Sequence, residues 1–286
     1  MKIGIIDVGG GTRGIYGAGV FDFFLDTEMK FCCVVGVSAG SANGITFLAG
    51  QHGRCRRFYT EYAFRKEYMS MGNFLRTGSY LDLDYIYGTL SRKDGEDPLD
   101  YPAAAADPTP FFAVATDVKT GLPRYFSKAD MAQDNYLPMK ASCCVPVVCR
   151  PYPAGSGLYY DGGISDPIPL RKAFAEGCDA VVIILTRPKD YFRTPGKDRL
   201  FSQLIRRNYP KAASAMQQRS AVYNDSLKEA LALEQEGKAV IIAPDDISGL
   251  KTLTKDKEQL EALYRKGYGD AKAALPRILA MQKGQP

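Results

Sequence analysis

Short apolar runs alternate with segments of helical periodicity along most of this chain. The runs of strand character are residues 2–8, 31–37, 111–116, 124–126, 158–160, 180–185 and 239–243. Helical periodicity covers, among others, residues 15–25, 38–49 and 168–176. Alternation of strands with helices predicts an α/β fold with a mostly parallel central sheet and helices on both faces.

The pattern is weaker in residues 50–110. This segment contains a basic, aromatic stretch of helical character at 54–68, a glycine–asparagine break at 72–73 and an acidic, proline-containing loop at 94–107. We expect these residues to form an insertion that covers the functional site. Farther along, Pro146 limits helix formation in an apolar stretch.

The composition is that of an ordinary globular protein. The 286 residues are 45% hydrophobic and make one large domain or two small ones. No stretch reaches the roughly 18 apolar residues of a membrane span, and the N-terminus has no secretory cleavage pattern. These features predict a cytoplasmic protein.

The cysteines form an odd-numbered set without a CxxC spacing: Cys32, Cys33, Cys55, Cys143, Cys144, Cys149 and Cys178. Two adjacent pairs lie in apolar runs, which predicts reduced and mostly buried thiols. The chain has a single histidine, His52, and no ligand spacing. We therefore expect neither a metal site nor a cofactor.

The formal net charge of +5 is unevenly distributed. Residues 187–219 contain nine basic residues against Asp190 and Asp198, a local excess of seven positive charges: Arg187, Lys189, Arg193, Lys197, Arg199, Arg206, Arg207, Lys211 and Arg219. This set is either a solvated helical face or a surface for anionic phospholipid, to which each basic residue would contribute about 1 kcal/mol. No nucleic-acid-binding motif accompanies it, so we expect no nucleic-acid partner.

The strand-like run 31–37 leads into Gly36-Val37-Ser38-Ala39-Gly40 and then a helix-like segment. This G-x-S-x-G pattern is typical of a nucleophile elbow, a sharp turn that presents a serine hydroxyl at its tip. Gly36 and Gly40 would relieve crowding of the backbone. Ser38 would lie at a helix N-terminus, which favours developing negative charge.

A glycine-rich loop follows the first strand: Gly9, Gly10, Gly11, Thr12, Arg13 and Gly14. It fits the dinucleotide pattern G-x-G-x-x-G, but the acidic residue expected at the end of the second strand is replaced by the elbow. A phosphate-binding P-loop is excluded because no Gly-Lys-Ser/Thr follows. Neighbouring first and second strands would open both loops at one edge, where the glycine amides could form an oxyanion hole. A plain tight turn is the alternative.

The single histidine is badly placed to act as the base. His52 lies 14 residues after Ser38, which corresponds to about 20 Å along a helix, whereas a base must reach within about 3 Å. Asp161 is the preferred candidate, because it ends a short strand and is followed by Gly162 and Gly163. Desolvation would raise the pKa of its carboxyl from about 3.9.

Other readings of the aspartates stay open. Asp161 and Gly162 could form an ordinary turn. Asp7, Asp117 and Asp166 are weaker candidates, since Asp7 lies within the first strand and Asp117 is placed to hold its own turn.

Together these segments resemble the patatin-like phospholipase family, and the chain looks like its bacterial branch. Residues 9–14 match the oxyanion loop, 36–40 the nucleophile elbow and 161–163 the D-G-A/G base motif. Ala141-Ser142 with Pro146, and Ala115-Thr116-Asp117 with Gly121, resemble further family blocks. The matches occur in the family's order and span roughly residues 2–185. The resemblance implies a patatin-like three-layer sandwich, with a catalytic core at 1–186. Residues 187–286 would then be a mainly helical region packed on that core as one unit.

The resemblance further implies a lipid acyl hydrolase with a Ser–Asp dyad. Ser38 would attack an acyl ester, Asp161 would take its proton, and the amides of Gly10, Gly11 and Thr12 would hold the oxyanion. The implied partner is a lipid or acyl-ester substrate, with peripheral contact at the inner face of an anionic membrane. A non-catalytic lipid-binding or regulatory protein on the same fold is the alternative, and nucleotide binding through the glycine loop is a third hypothesis.

Overall fold

One mixed sheet runs through the computed structural model, which describes residues 1–247 and 249–284. Its strands in the described residues are β1 Ile3–Asp7, β2 Val34–Val37, β3 Phe111–Asp117, β4 Pro123–Ser127, β5 Tyr152–Ala154, β6 Gly157–Asp161, β7 Ala180–Ile184 and β8 Ala239–Ile242. Their order is β5-β6-β3-β2-β1-β7-β8, with β4 also paired to β3. Strands β3, β2, β1, β7 and β8 are parallel, whereas β4, β5 and β6 pair antiparallel. The predicted mostly parallel α/β sheet is thus confirmed.

Helices cover both faces of the sheet. They are α1 Ile15–Asp26, α2 Ala39–Leu48, α3 Arg54–Thr60, α4 Met71–Thr77, α5 Tyr101–Ala106, α6 Leu137–Ser142, α7 Leu170–Ala175, α8 Gly196–Ile205, α9 Pro210–Gln235 and α10 Lys257–Gln282. Helical turns that follow other geometries occupy Gly11–Gly14, Tyr62–Phe64, Tyr85–Leu90, Lys128–Asp130 and Gly162–Ile164. In residues 1–247 and 249–284, no helix has both the length and the apolar character of a membrane span.

The strand sequences explain the three layers. Successive strand residues point to opposite faces. Ile5 and Val34 belong to an apolar layer with α1, α2 and α10, whereas Ile6 and Val35 belong to a layer with α7 and α9. Every residue of β1, β2, β7 and β8 is buried, as expected for parallel strands covered on both faces.

Several local predictions were wrong. The predicted break at 72–73 lies inside α4, because the Ser70 hydroxyl accepts from the Asn73 amide and starts a helix there. The stretch at 94–107 contains α5, whose first turn is capped by the Asp100 carboxylate. The helical segment predicted at 54–68 ends at Thr60, where α3 stops. The first turns of α4 and α5 are thus held by side-chain caps, whereas α3 has none.

The seven cysteines are free thiols, of which six are buried and Cys32 is half-buried. This agrees with the apolar runs in which they occur. Cys32 lies 2.7 Å from Cys178 through their Sγ atoms, at the end of the sheet opposite to the carboxyl ends of β1 and β7.

The region after residue 186 shares the sheet and both apolar layers with the rest of the chain. Strand β8 extends the sheet beside β7, α9 packs on one face, and α10 packs against α1. The α1–α10 contact is close because glycines face it. A Cβ at Gly19 would overlap the Tyr264 carbonyl, and one at Gly267 would overlap the Tyr16 carbonyl.

This contact gives a stability prediction. Gly267→Ala should lower the free energy of unfolding by about 1–3 kcal/mol, because the new methyl group must push α1 and α10 apart. Gly269→Ala is the matched control, since Gly269 lies on the same helix with nothing near its Cβ position. It should be neutral or stabilising by up to about 1 kcal/mol, through helix propensity alone. Urea unfolding measures both, and equal effects would contradict the close contact.

Candidate active site

Ser38 occupies a strained turn between β2 and α2. Its backbone has φ 55° and ψ −129°, a region that costs a non-glycine residue about 1–3 kcal/mol. Neighbouring backbone excludes side chains on both sides of the turn: a Cβ at Gly36 would overlap Ser41, and one at Gly40 would overlap the Asp7 carbonyl. The pattern predicted this elbow, and the two glycines are required by close approach.

Hydrogen bonds hold the elbow from below. The Ser38 amide donates to the Ser142 hydroxyl at 2.9 Å, and that hydroxyl donates to the Val114 carbonyl at 2.6 Å. The Ser41 hydroxyl donates to the Ser38 carbonyl at 2.6 Å. Ser142, in the apolar stretch near Pro146, therefore ties the elbow to β3. Its sequence position indicated a family block without indicating this role.

Asp161 lies at the carboxyl end of β6 and faces the elbow. The Thr116 hydroxyl donates to its carbonyl at 2.8 Å, and the Gly163 amide donates to its carboxylate at 2.8 Å. A Cβ at Gly162 would overlap the Val114 carbonyl, so only glycine lets the chain turn here. The side chain is 5% exposed, and Ser38 is 7% exposed.

The structure brings Ser38 and Asp161 together in a buried environment. Burial raises the pKa of the Asp161 carboxyl above its usual value, while a hydrogen bond from Ser38 and the charge of Arg219 oppose the rise. A carboxylate with a raised pKa is a better proton acceptor than an exposed one. In this arrangement the Asp161 carboxylate can accept a proton from the Ser38 hydroxyl without a histidine.

The glycine loop packs directly on the elbow. Gly9, Gly10 and Gly11 have φ of 62°, 130° and 63°, which turns their amides away from ordinary helix or strand partners. A Cβ at Gly9 would overlap the Val37 carbonyl. The Gly9 amide donates to the Asp7 carboxylate at 2.9 Å, and the Asn43 side-chain amide donates to its second oxygen at 2.9 Å. Burial raises the pKa of Asp7 to about 6.

The three expected oxyanion donors differ in availability. The Thr12 amide donates to the Thr252 carbonyl at 2.8 Å, so it is already engaged. Among the residues that the structure describes, the Gly10 and Gly11 amides donate to no protein acceptor. Gly10 and Gly11 are therefore the available candidates, and Thr12 could join them only if residue 252 moved.

An apolar cavity opens beside Ser38. Its volume is about 750 Å³, including the part that is open to solvent. Residues from the 50–110 segment form most of its wall, among them Phe58, Tyr59, Met69 and Leu83. Val145 and Leu253 also line it. The sequence predicted that this segment covers the site, but it did not indicate which side chains line the cavity.

The C-terminal region contributes contacts that the sequence did not reveal. The Arg219 Nε donates to the Gly163 carbonyl at 2.7 Å, and its Nη1 lies 3.4 Å from the Asp198 carboxylate. Thr252 holds the glycine loop, as described above. In the sequence, Arg219 was only one of nine basic residues, and Thr252 carried no signal.

The other titratable candidates lie elsewhere. His52 is at the far end of α2, half exposed, with its Nε2 3.5 Å from Asp26. The Asp117 carboxylate accepts from the Lys119 and Thr120 amides, which confirms that it holds its own turn. Asp166 accepts from the Tyr125 hydroxyl at 2.6 Å.

Comparison with known proteins identifies the family. A family model described as patatin-like phospholipase matches residues 8–174, and one described as a domain of unknown function (DUF6363) matches residues 209–283. The first match covers more than half of the chain. This chain therefore belongs to the patatin-like phospholipase family, a family of lipid hydrolases.

Individual relatives agree with this assignment. The uncharacterized protein YjjU of Escherichia coli K12 is 32% identical over 200 residues, which are 68% of this chain and 54% of that protein. Uncharacterized NTE family proteins of Mycobacterium bovis and Mycobacterium tuberculosis are 25% identical over 175 residues, 61% of this chain and 46% of theirs. The chain thus spans about half the length of these curated relatives. The crystal structure of VipD from Legionella pneumophila shares the fold, with a TM-score of 0.52 and 14% identity over 96% of this chain and 67% of that one.

The charge of Arg219 gives a prediction about pH. If Asp161 must be ionised for turnover, kcat/KM falls as the pH drops through its pKa. Arg219 lowers that pKa, so Arg219→Gln should raise it and move the acid limb to higher pH. Arg219→Lys retains the charge and should leave the limb near its wild-type position. A pH–rate profile of all three proteins measures this, and an identical limb in each would contradict the coupling.

Proposed function

We propose that this protein is a serine lipid acyl hydrolase, a carboxylic ester hydrolase of the phospholipase A or lysophospholipase type that acts in lipid degradation. The observation that carries the proposal is the contact between the Ser38 hydroxyl and the buried Asp161 carboxylate. Two unengaged amides of the glycine loop and an apolar cavity adjoin the same serine. Family membership supports the lipid chemistry.

The first half of the reaction forms an acyl-enzyme. The Ser38 oxygen attacks the ester carbonyl while Asp161 accepts the hydroxyl proton. The negative charge on the carbonyl oxygen is stabilised by the amides of Gly10 and Gly11 and by the N-terminus of α2. The bond to the alcohol then breaks, and Asp161 returns the proton to the departing oxygen. The acyl chain lies in the apolar cavity.

The second half releases the fatty acid. A water molecule attacks the acyl-enzyme carbonyl while Asp161 takes a proton from the water, and the same oxyanion forms. The bond to the Ser38 oxygen then breaks, and Asp161 returns the proton to that oxygen. One carboxylate thus serves as base and acid in turn. The hydrogen bond from the Gly163 amide keeps the carboxylate in place during both steps.

Substitutions test the dyad. Ser38→Ala should abolish both ester hydrolysis and fluorophosphonate labelling, because it removes the nucleophile. Asp161→Asn should lower kcat by about 10²–10⁴-fold, the usual contribution of a general base. His52→Ala should retain activity, because His52 contacts Asp26 and not the dyad.

Each result has an opposite that would overturn the assignment. Equal labelling of Ser38→Ala would remove Ser38 as the nucleophile, and loss of activity in a folded His52→Ala protein would remove the dyad. Binding of lipid vesicles with no acyl release by the wild type would favour the non-catalytic alternative. A measured affinity for NAD or ATP would revive nucleotide binding.

We further propose that α8 contacts an anionic membrane peripherally, as expected for a cytoplasmic enzyme at the inner membrane face. The basic residues of 187–219 divide in the structure: Arg193 and Arg219 face Asp198, Lys189 pairs with Glu234, and Arg187 lies over the Tyr191 ring. Those that remain exposed lie on and beside α8: Lys197, Arg199, Arg206, Arg207 and Lys211. The same helix exposes apolar side chains, with Leu200 and Leu204 accessible to 55% and 61%. An amphipathic helix with basic flanks is suited to a lipid surface.

Vesicle binding tests this surface. The double variant Leu200→Ser/Leu204→Ser should bind phosphatidylglycerol vesicles several-fold more weakly, and wild-type binding should weaken as salt screens the charges. Leu122→Ser is the matched control, since Leu122 is 64% exposed in the turn between β3 and β4. Sedimentation with vesicles measures all three. Unchanged binding by the double variant, or binding that is insensitive to salt, would exclude α8 as the contact.

A further inference from the structure

Three arginines surround two tyrosine rings beside the glycine loop. We name Arg13, Arg187 and Arg193 the arginine cluster. The Arg187 guanidinium lies 4.1 Å from the centre of the Tyr191 ring, and that of Arg193 lies 5.5 Å from the Tyr223 ring. The centres of the two rings are 6.4 Å apart. Arg13 is within electrostatic reach of both other arginines and both tyrosines. Residues far apart in the sequence thus converge at the carboxyl end of β7.

The positive charge of the arginine cluster is poorly compensated. Arg13 is 5% exposed, yet within the described part of the chain it forms no ion pair, and its Nη1 has only the Thr252 hydroxyl at 3.2 Å. The buried Nε atoms of Arg13 and Arg187 donate to no described acceptor. Asp198 is the nearby carboxylate; it faces Arg193 at 3.9 Å and Arg219 at 3.4 Å, and its buried Oδ2 accepts no hydrogen bond from a described residue. Buried donors without acceptors are costly, so they indicate a missing group.

Repulsion within the cluster is consistent with a missing anion. Burial, and after it the charges of Arg187 and Arg193, lower the pKa of Arg13 to about 10. The negative charge of a bound anion would oppose this shift. The guanidinium fork matches the geometry of a phosphate group and can donate two parallel hydrogen bonds to it.

The cluster adjoins the proposed reaction centre without being part of the apolar cavity. A Cβ at Gly10 would lie 3.2 Å from Arg13 Nη2, so the cluster begins at the loop that is expected to hold the oxyanion. The residues lining the cavity include Thr12 but none of the three arginines. Arg187 and Arg193 are half-buried, so a ligand can reach them from solvent. An apolar chain and a charged group would therefore occupy separate places.

We propose that Arg13, Arg187 and Arg193 form a binding site for a phosphate group, either on the headgroup of the lipid ester or as free phosphate. The headgroup form rests on the proposed hydrolase function; the binding of phosphate itself does not. Arg13 supplies the buried end of the site, and Arg187 and Arg193 supply the end open to solvent. The tyrosine rings hold the two outer guanidinium groups in place.

The first experiment measures binding without catalysis. Inorganic phosphate is titrated by calorimetry, at constant ionic strength set by chloride, into Ser38→Ala protein with and without Arg187→Gln. We expect saturable binding that Arg187→Gln weakens at least tenfold. Arg187→Lys keeps the charge without the fork and should give an intermediate affinity. Arg199→Gln, an exposed change outside the cluster, is the matched control and should bind like the parent.

Melting temperatures distinguish a loss of phosphate binding from a loss of folding. Arg187→Gln should melt at or above the temperature of the parent without phosphate, because it removes repulsion, and should gain less from added phosphate. Equal phosphate affinity in Arg187→Gln and the parent, or no saturable binding at millimolar phosphate, would overturn the site.

The second experiment distinguishes the two sources of phosphate. Hydrolysis of a monoacylglycerol phosphate is compared with that of the monoacylglycerol with the same acyl chain. A headgroup site predicts that Arg187→Gln raises KM at least tenfold for the phosphorylated ester and leaves the neutral ester unchanged. An unchanged KM ratio together with lost phosphate binding supports the free-phosphate form. If neither ester is hydrolysed by wild type, the proposed hydrolase function fails, while the calorimetric result still decides the phosphate site.

Discussion

The active-site region depends on one backbone contact, between the loops that follow β1 and β2. The Gly9 backbone lies against the Val37 carbonyl, and the Gly40 backbone lies against the Asp7 carbonyl. This contact exists because β1 and β2 are parallel neighbours, so their carboxyl ends open at the same edge. It sets the spacing between the glycine-loop amides and the serine. The remaining elements either hold this contact, as Ser142 does through β3, or supply groups to it.

Two buried carboxylates, Asp7 and Asp161, lie near this contact and have different hydrogen-bond partners. Asp7 accepts from the Gly9 amide and from the Asn43 side chain, so its carboxylate stabilises the conformation of the glycine loop. Asp161 accepts from the Gly163 amide and faces Ser38, where the proposed function requires a proton acceptor. Both aspartates are the last residue of a strand, Asp7 of β1 and Asp161 of β6. Their hydrogen-bond partners therefore distinguish them, and not their position along the strand.

The sequence predicted the parts of the site that rest on local geometry. The elbow around Ser38, the loop 9–14 and the turn after Asp161 each carry glycines where backbone approaches backbone, and such constraints are visible in a single chain. Arg219 and Thr252 were missed because they act through contacts with residues far away in sequence. Helix α4 was missed because its start depends on the Ser70 cap and not on periodicity. Strand β5 was missed because it has only three residues, whereas β6 was predicted at 158–160.

The stretch that identifies the family is not a unit that could fold by itself. The match at residues 8–174 leaves out β1, which lies between β2 and β7 in the interior of the sheet, and also β7 and β8. A protein cut to those limits would expose one edge of β2 along its length, with unpaired backbone groups and apolar side chains on both faces. Exposed edges of that kind recruit strands from other molecules. The limits of the family match therefore differ from the limits of the part that packs as one sheet. Only the limits of the packed sheet show where the chain can be divided.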